Sequence, residues 1–341
     1  MNFEMIKKLT EANAISMKEK EVRDIVVSES LGEVQYDGLG SVIVRHIGKG
    51  PKLMFASHMD EVGFMIRHIS PIGLLHVIAI GGVEQRAKSY QRVKITMSNG
   101  DAQVGLLQCV LDEHHQVKDM YVDIGVNTKQ EVEDIGIQIG DMVTFDSKTE
   151  MLNDDIVMAK ALDDRIGCYI LQEIDKVIYQ TTHPNDVYLC YTSSEEVGTK
   201  GGKCTSQLIN PDIIFIIDVA STPEMIRDYT NHRELGKGYM LVHYDKTMIP
   251  NPKLIQYMKN ISKEYHIDFQ CDMFSGGGTD GTLSHLTNGG KLAIVLGIPL
   301  RYCHGSYSMC HQKDVDGLIT VIKKLIATLN IETYKQLRVF D

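Results

Sequence analysis

Four short apolar runs in this chain end in side chains that can bind a metal or move a proton, and that placement restricts the fold most. Leu53 to Ala56 is followed by His58 and Asp60, Val187 to Thr192 by Glu195 and Glu196, and Ile213 to Ile217 by Asp218. Leu292 to Leu296 is followed, after a short loop, by His304. Runs this uniformly apolar are strands buried on both faces, the habit of parallel sheets. Helical patterns lie between and after them: Ile166 to Tyr179, a helix opened by Asn251-Pro252, and Val315 to Leu329. The alternation predicts an α/β fold with a mixed, largely parallel sheet flanked by helices, whose strands point their carboxyl ends into one crevice. Two helices are expected within residues 3–31, one presenting Phe3, Ile6 and Leu9, the other Val22, Ile25 and Val26 after a capping Ser16.

Between residues 67 and 157 the texture changes to short alternating runs: Val93 to Met97, Val104 to Leu106, Tyr121 to Ile124, Val143 to Phe145. Asn99-Gly100 joins the first two as a hairpin turn, and only Lys129 to Asp134 reads as helix. A chain of 341 residues is long enough for two domains. Residues 1–66 and 158–341 are expected to form the α/β domain, with 67–157 inserted as a small β-barrel-like domain.

Composition narrows the partners. Lys+Arg 35 against Asp+Glu 45 leaves a net charge of −10 without a basic stretch, which argues against nucleic acid. The apolar run Leu292 to Pro299 is far short of the roughly 20 residues that span a bilayer, so no membrane partner is expected. The opening MNFEMIKKLTEANAI has no signal-peptide core, and the seven scattered cysteines read as reduced thiols, so a cytoplasmic location is expected. Taken singly, the polar residues after the strands have ordinary explanations. A lone His-x-Asp is usually a satisfied histidine, and Asp163 or Asp164 could cap the helix at Ile166. Together, two histidines and several carboxylates at converging strand ends match the requirements of a zinc- or cobalt-like ion.

At these residues the chain resembles a known family. Ser57-His58-Met59-Asp60-Glu61-Val62-Gly63-Phe64, Ala161-Leu162-Asp163-Asp164-Arg165, Glu195-Glu196-Val197-Gly198, Ile217-Asp218 and Arg301-Tyr302-Cys303-His304 occur together and in order, with Gly276 to Asp280 and Val122 to Gly125 besides. The resemblance is to the glutamyl aminopeptidase-like, tetrahedral aminopeptidases, which are dinuclear metallopeptidases. It implies two divalent metal ions per subunit, zinc or cobalt, bridged by Asp163. One ion would also take His58 and Asp218, the other Glu196 and His304. Glu195 would be the general base acting on a metal-bridging water, Asp60 would orient His58, and the Asp163-Asp164 peptide would be cis. The family further implies short peptide substrates and dimerisation through the inserted domain into assemblies as large as dodecamers. Gly305, Gly238-Tyr239 and Val83-Glu84-Gln85 depart from the family pattern and bear on substrate preference.

Two rival functions use the same residues. A cellulase-like glycoside hydrolase needs two carboxylates facing each other across the sugar, which adjacent Glu195 and Glu196 do not easily supply, and it leaves His58 and His304 without a purpose. A non-catalytic scaffold on the same fold would have no use for a retained Glu195.

Overall fold

The computed structural model describes residues 1–274 and 276–340. After helices α1 (Phe3–Glu11) and α2 (Lys20–Glu29), the chain enters its main sheet through β1 (Glu33–Tyr36), β2 (Val42–His46) and β3 (Lys52–His58). It then forms a closed barrel of β4 (Gly63–Ile69), β5 (Leu75–Ile80), β6 (Gln91–Thr96), β7 (Ala102–Leu111), β8 (Val117–Asp123) and β9 (Met142–Phe145), with α3 (Lys129–Ile135) before the last strand. Return is through β10 (Glu150–Met151) and β11 (Ile156–Ala159) to the long α4 (Leu162–Gln180). There follow β12 (Asp186–Thr192), α5 (Lys200–Ile209), β13 (Ile213–Ser221), β14 (Tyr239–Tyr244), α6 (Pro252–Glu264), β15 (Phe269–Met273) and α7 (Gly281–Ser284). The chain ends with β16 (Leu292–Leu300), β17 (Ser308–His311), α8 (Gln312–Thr328) and α9 (Ile331–Leu337).

The main sheet has the order β1-β2-β12-β3-β13-β16-β14-β15. Its four central strands, β12, β3, β13 and β16, are mutually parallel, and β14 reverses direction against β16. Period-2 alternation sends Leu53 and Phe55 of β3 to one face and Met54 and Ala56 to the other, each into its own buried cluster. Helices cover both faces, which is why these strands are apolar at nearly every position. Phe55 and Phe215, neighbours in register on β3 and β13, stack at 4.9 Å and are fully buried.

The barrel has a separate core built from Phe64, Ile66, Val93, Ile95, Leu107 and Phe145 among others. Asn99-Gly100 turns β6 into β7 as expected, with Gly100 at φ +91° supplying the left-handed residue of that turn. Asn251 caps α6 by accepting from the Lys253 and Leu254 amides. Three features differ from the sequence reading. Ser16 does not cap α2, which starts at Lys20; its hydroxyl donates instead to Asp60 at 2.5 Å. Asp163 and Asp164 are non-helical, and Ala161 stands at the helix N-cap. Strand β13 runs four residues beyond Ile217, through Asp218 to Ser221, because β16 pairs with it along its whole length. Helix α5 and the edge pair β14–β15 have weak periodicity and were not anticipated. No helix among the described residues is long and apolar enough to cross a membrane.

Truncating the central stack tests this core. Phe55→Ala should cost about 3 to 5 kcal/mol, the range for a buried aromatic that leaves a cavity. A urea titration followed by circular dichroism should show a correspondingly lower midpoint.

Candidate metal centre

Register explains how side chains far apart in sequence meet. His58 is the last residue of β3 and lies opposite Thr192, the last residue of β12, so Glu195 and Glu196 leave the sheet beside it. Asp218 lies opposite Gly297, three residues before the end of β16. Arg301 to His304 follow directly, and the loop returns to β17. Asp163 comes from the irregular first turn of α4, where the Asp163-Asp164 peptide is cis, as the resemblance implies. These residues line one cleft of about 600 Å³, shared with Gly82 and Glu84 of the barrel and the Gly276–Gly278 loop.

Two groups of potential ligands share a member. His58, Asp163 and Asp218 have ligand atoms all within 4.8 Å of one another, and so do Asp163, Glu196 and His304. His58 Nε2 is 3.1 Å from Asp163 Oδ1, and His304 Nε2 is 3.0 Å from Asp163 Oδ2. Each imidazole is oriented from behind. His58 Nδ1 donates to the Asp60 carbonyl at 2.9 Å, and His304 Nδ1 donates to the Gly82 carbonyl at 3.0 Å. A carbonyl only accepts, so both rings carry Nδ1–H and turn Nε2 to the shared carboxylate. The Asp60 carboxylate serves chiefly the neighbouring turn: Oδ1 accepts from the Glu195 amide and Oδ2 from the Glu196 amide, both at 3.1 Å. It lies 3.5 Å from His58 Nδ1, farther than its own carbonyl.

The electrostatics of the cleft favour a cation. Burial pushes the Glu196 carboxyl up to about 7 despite nearby His304, and burial with adjacent Asp163 pushes Asp218 up to about 8. Glu195 is raised well above the usual carboxylate range by burial, only partly offset by His58. Asp163 is pushed down against the effect of burial, because His304 and His58 both hydrogen-bond it. Burial resists the charged form of His304, yet the bond to Asp163 carries its pKa up to about 10. Glu196 Oε1 is buried without a hydrogen-bond partner. An orphaned carboxylate oxygen, two imidazoles and two further carboxylates fit a borderline divalent cation in chemistry and arrangement.

Backbone strain concentrates here. Ala161, Ser194, Tyr302 and His304 all have left-handed φ between 52° and 63° without being glycine, a conformation that persists only where the surroundings enforce it. Buried Lys160 and Arg165 both pair with Glu61, and Arg165 also donates to the carbonyls of Met59, Leu9 and Ala12. That ties the start of α4 to β3 and the N-terminal segment.

Sequence reasoning named His58, Asp60, Asp163, Glu195, Glu196, Asp218 and His304; the structure brings six of them to this cleft and places Asp60 fully buried behind it, against the Glu195 and Glu196 amides. It missed the Gly82 carbonyl, a backbone group with no signature in composition or periodicity. It also missed Ser16, taken for a helix cap. Of the departures from the family pattern, Glu84 lines the cleft, whereas Tyr239 is buried against Ser262 in the core.

The family model for M42 glutamyl aminopeptidases matches residues 40–321. The lysyl aminopeptidase of Pyrococcus furiosus is 31% identical over 345 residues, covering 96% of this chain and 98% of that protein. Among solved structures, a TET aminopeptidase from a marine sediment archaeon of the Thaumarchaeota superposes with a TM-score of 0.93 at 32% identity, covering 98% of both chains. The TET1 peptidase of Pyrococcus horikoshii, which assembles into a tetrahedron or a large octahedral shell, superposes with a TM-score of 0.87 at 26% identity, covering 96% of this chain and 99% of that one.

The raised carboxyls give a pH dependence. Glu196 and Asp218 hold protons in the folded state that the unfolded chain has released, so metal-free stability falls as pH climbs from about 4 towards their folded values near 7 and 8. His304 acts in the same direction, its contribution being whole below about 6.5 and lost as pH rises through about 10. In chelator, the melting midpoint should therefore be lower at pH 8 than at pH 6. Saturating divalent cation should abolish that fall, because the cation binds the deprotonated ligands.

Proposed function

The chain belongs to the M42 glutamyl aminopeptidase family and is a peptide hydrolase, and from that premise we propose that it removes N-terminal residues from short peptides at the cleft around Asp163. The observation that carries this reading is the Asp163 carboxylate, each of whose two oxygens meets a different imidazole. Asp163 would hold two divalent ions, zinc or cobalt, one together with His58 and Asp218 and the other together with Glu196 and His304. The chemistry such ions would supply there is Lewis-acid activation of a water and of the scissile carbonyl. Glu195, raised well above the ordinary carboxylate range, takes a proton from the attacking water and delivers it to the leaving amine. Asp60 fixes the backbone of Glu195 and Glu196, so base and ligand keep their relative places. Asp60 also orients His58, and the carbonyls of Asp60 and Gly82 hold the tautomer of each imidazole. The acidic cleft suits the free α-amino group of a peptide.

Neighbouring glutamates separate base from ligand. Glu195→Gln should keep both ions and the fold while turnover falls by about 10² to 10⁴, the usual worth of a positioned base. Glu196→Gln should instead bind less metal and partly recover at high metal concentration. Elemental analysis beside a chromogenic aminopeptidase assay, with chelator as the negative control, decides. Metal loss in Glu195→Gln with both ions retained in Glu196→Gln would reverse the two roles.

The barrel supplies the surface for self-association in this proposal, as dimer building blocks of a larger closed assembly. Leu106 and Val110, on one outward-facing side of β7, are more than two-fifths exposed. Leu106→Asp with Val110→Asp should lower the particle mass measured by light scattering. An unchanged mass would remove that face from the interface.

A further inference from the structure

The turn that presents Glu195 is gripped residue by residue. Thr192 Oγ1 hydrogen-bonds the Asp280 carboxylate. Ser193 Oγ donates to Glu19 Oε1 at 2.6 Å, and the Ser194 amide donates to the same oxygen at 3.3 Å. The Glu195 and Glu196 amides donate to Asp60. Five consecutive residues are thus bound by three buried carboxylates from three distant parts of the chain.

Glu19 is the member of this set that grips the two residues immediately before the base. It stands at the N-cap position of α2, where an acidic side chain ordinarily accepts from the helix's own first amides. Here it makes no such bond. Its side chain is fully buried and turned away from the helix towards residues 193 and 194, held there by the Met17 amide at 2.8 Å and by Arg23 at 3.5 Å. Lys18, next in the chain, donates to the Gly140 carbonyl at 2.6 Å, which anchors this segment to the barrel side. Ser194, the residue just before the base, is left-handed at φ 61°, a conformation that a serine keeps only under restraint.

We propose that Glu19 is a positioning residue for Glu195, holding the strained Ser193–Ser194 step so that the base stays aimed at the reacting water. This rests on the assignment of Glu195 as the base. Glu19 acts through the turn itself, by way of the Ser193 hydroxyl and the Ser194 amide. Displacement of a reacting group by about 1 Å can cost on the order of a hundredfold in rate, so a support of this kind is felt in turnover before it is felt in folding.

The test uses the metal-loaded, full-length enzyme. Glu19→Ala should lower kcat roughly tenfold to a hundredfold with KM changed by less than about twofold. Metal per chain should be unchanged, and amide hydrogen exchange at Ser194 and Glu195 should be faster. Glu19→Gln keeps an oxygen that accepts from Ser193 and Ser194, so it should recover most of the lost rate. Ser193→Ala removes the hydroxyl's bonds to Glu19 and to Ser194 Oγ but leaves the Ser194 amide on Glu19; it should show a smaller kcat defect of the same kind, which keeps the proposal open to refutation if Glu19→Ala does not fold. Wild-type kcat in Glu19→Ala or in Ser193→Ala, Glu19→Gln as impaired as Glu19→Ala, or metal loss in proportion to rate would each overturn it. If the parent enzyme turns over no peptide with any metal, the functional reading fails by itself. The exchange rates then decide, and unchanged exchange in Glu19→Ala overturns the proposed support.

Discussion

Repulsion among buried carboxylates is the constraint that the rest of this structure answers. Asp163, Glu195, Glu196 and Asp218 line one cleft, with Asp60 and Asp280 directly behind them. Burial raises the cost of each charge, and the neighbours raise it further, as the upward shifts of Glu196 and Asp218 show. A loose scaffold would let such groups separate and solvate. Here they hang from parallel strands locked in register from Lys52 to His58 and from Ile213 to Ser221, so the main chain cannot spread. Within the described residues two imidazoles, His58 and His304, offset part of the repulsion, and both address Asp163. The remaining demand for positive charge is what makes the cleft a candidate site for cations.

Rigidity of the strands alone does not place the side chains that leave their ends. That is done by hydrogen bonds from elements far away in sequence. Ser16 reaches Asp60, Gly82 reaches His304, and Arg165 gathers three carbonyls around the start of α4. Each bond joins separate parts of the molecule: the loops at the ends of the strands, the N-terminal segment, the barrel and the first long helix. The barrel is therefore no mere appendage, since Gly82 and Glu84 belong to the wall of the cleft.

Much of this was legible in the chain. Uniformly apolar β3, β12, β13 and β16 announce a buried parallel sheet, and polar residues at their carboxyl ends can only gather at one edge of it. The hairpin at Asn99-Gly100 and the Asn251 cap were legible because each rests on the chemistry of one or two residues. What escaped depends on contacts rather than patterns. Ser16 precedes a helical run and so looks like a cap, but the geometry that makes it a ligand of Asp60 exists only once β3 is docked. Gly82 contributes a carbonyl that any residue has, and α5, with Gly201 and Gly202 in its first turn, reads poorly as helix. Those glycines are there because a Cβ would collide with the Ser193 backbone and the Asp280 carboxylate, a reason that only tertiary structure supplies.

The position of β16 has a consequence for biosynthesis. This strand is made after every other strand of the main sheet, yet it lies inside the sheet between β13 and β14 and leads straight to His304. Until it inserts, β13 has an open edge and one of the two imidazoles facing Asp163 is absent. Pairings between residues so distant close late in folding. A nascent chain therefore has no complete cleft until β16 has been made and has slipped between two strands that precede it, by which time the barrel and the earlier strands of the sheet already exist.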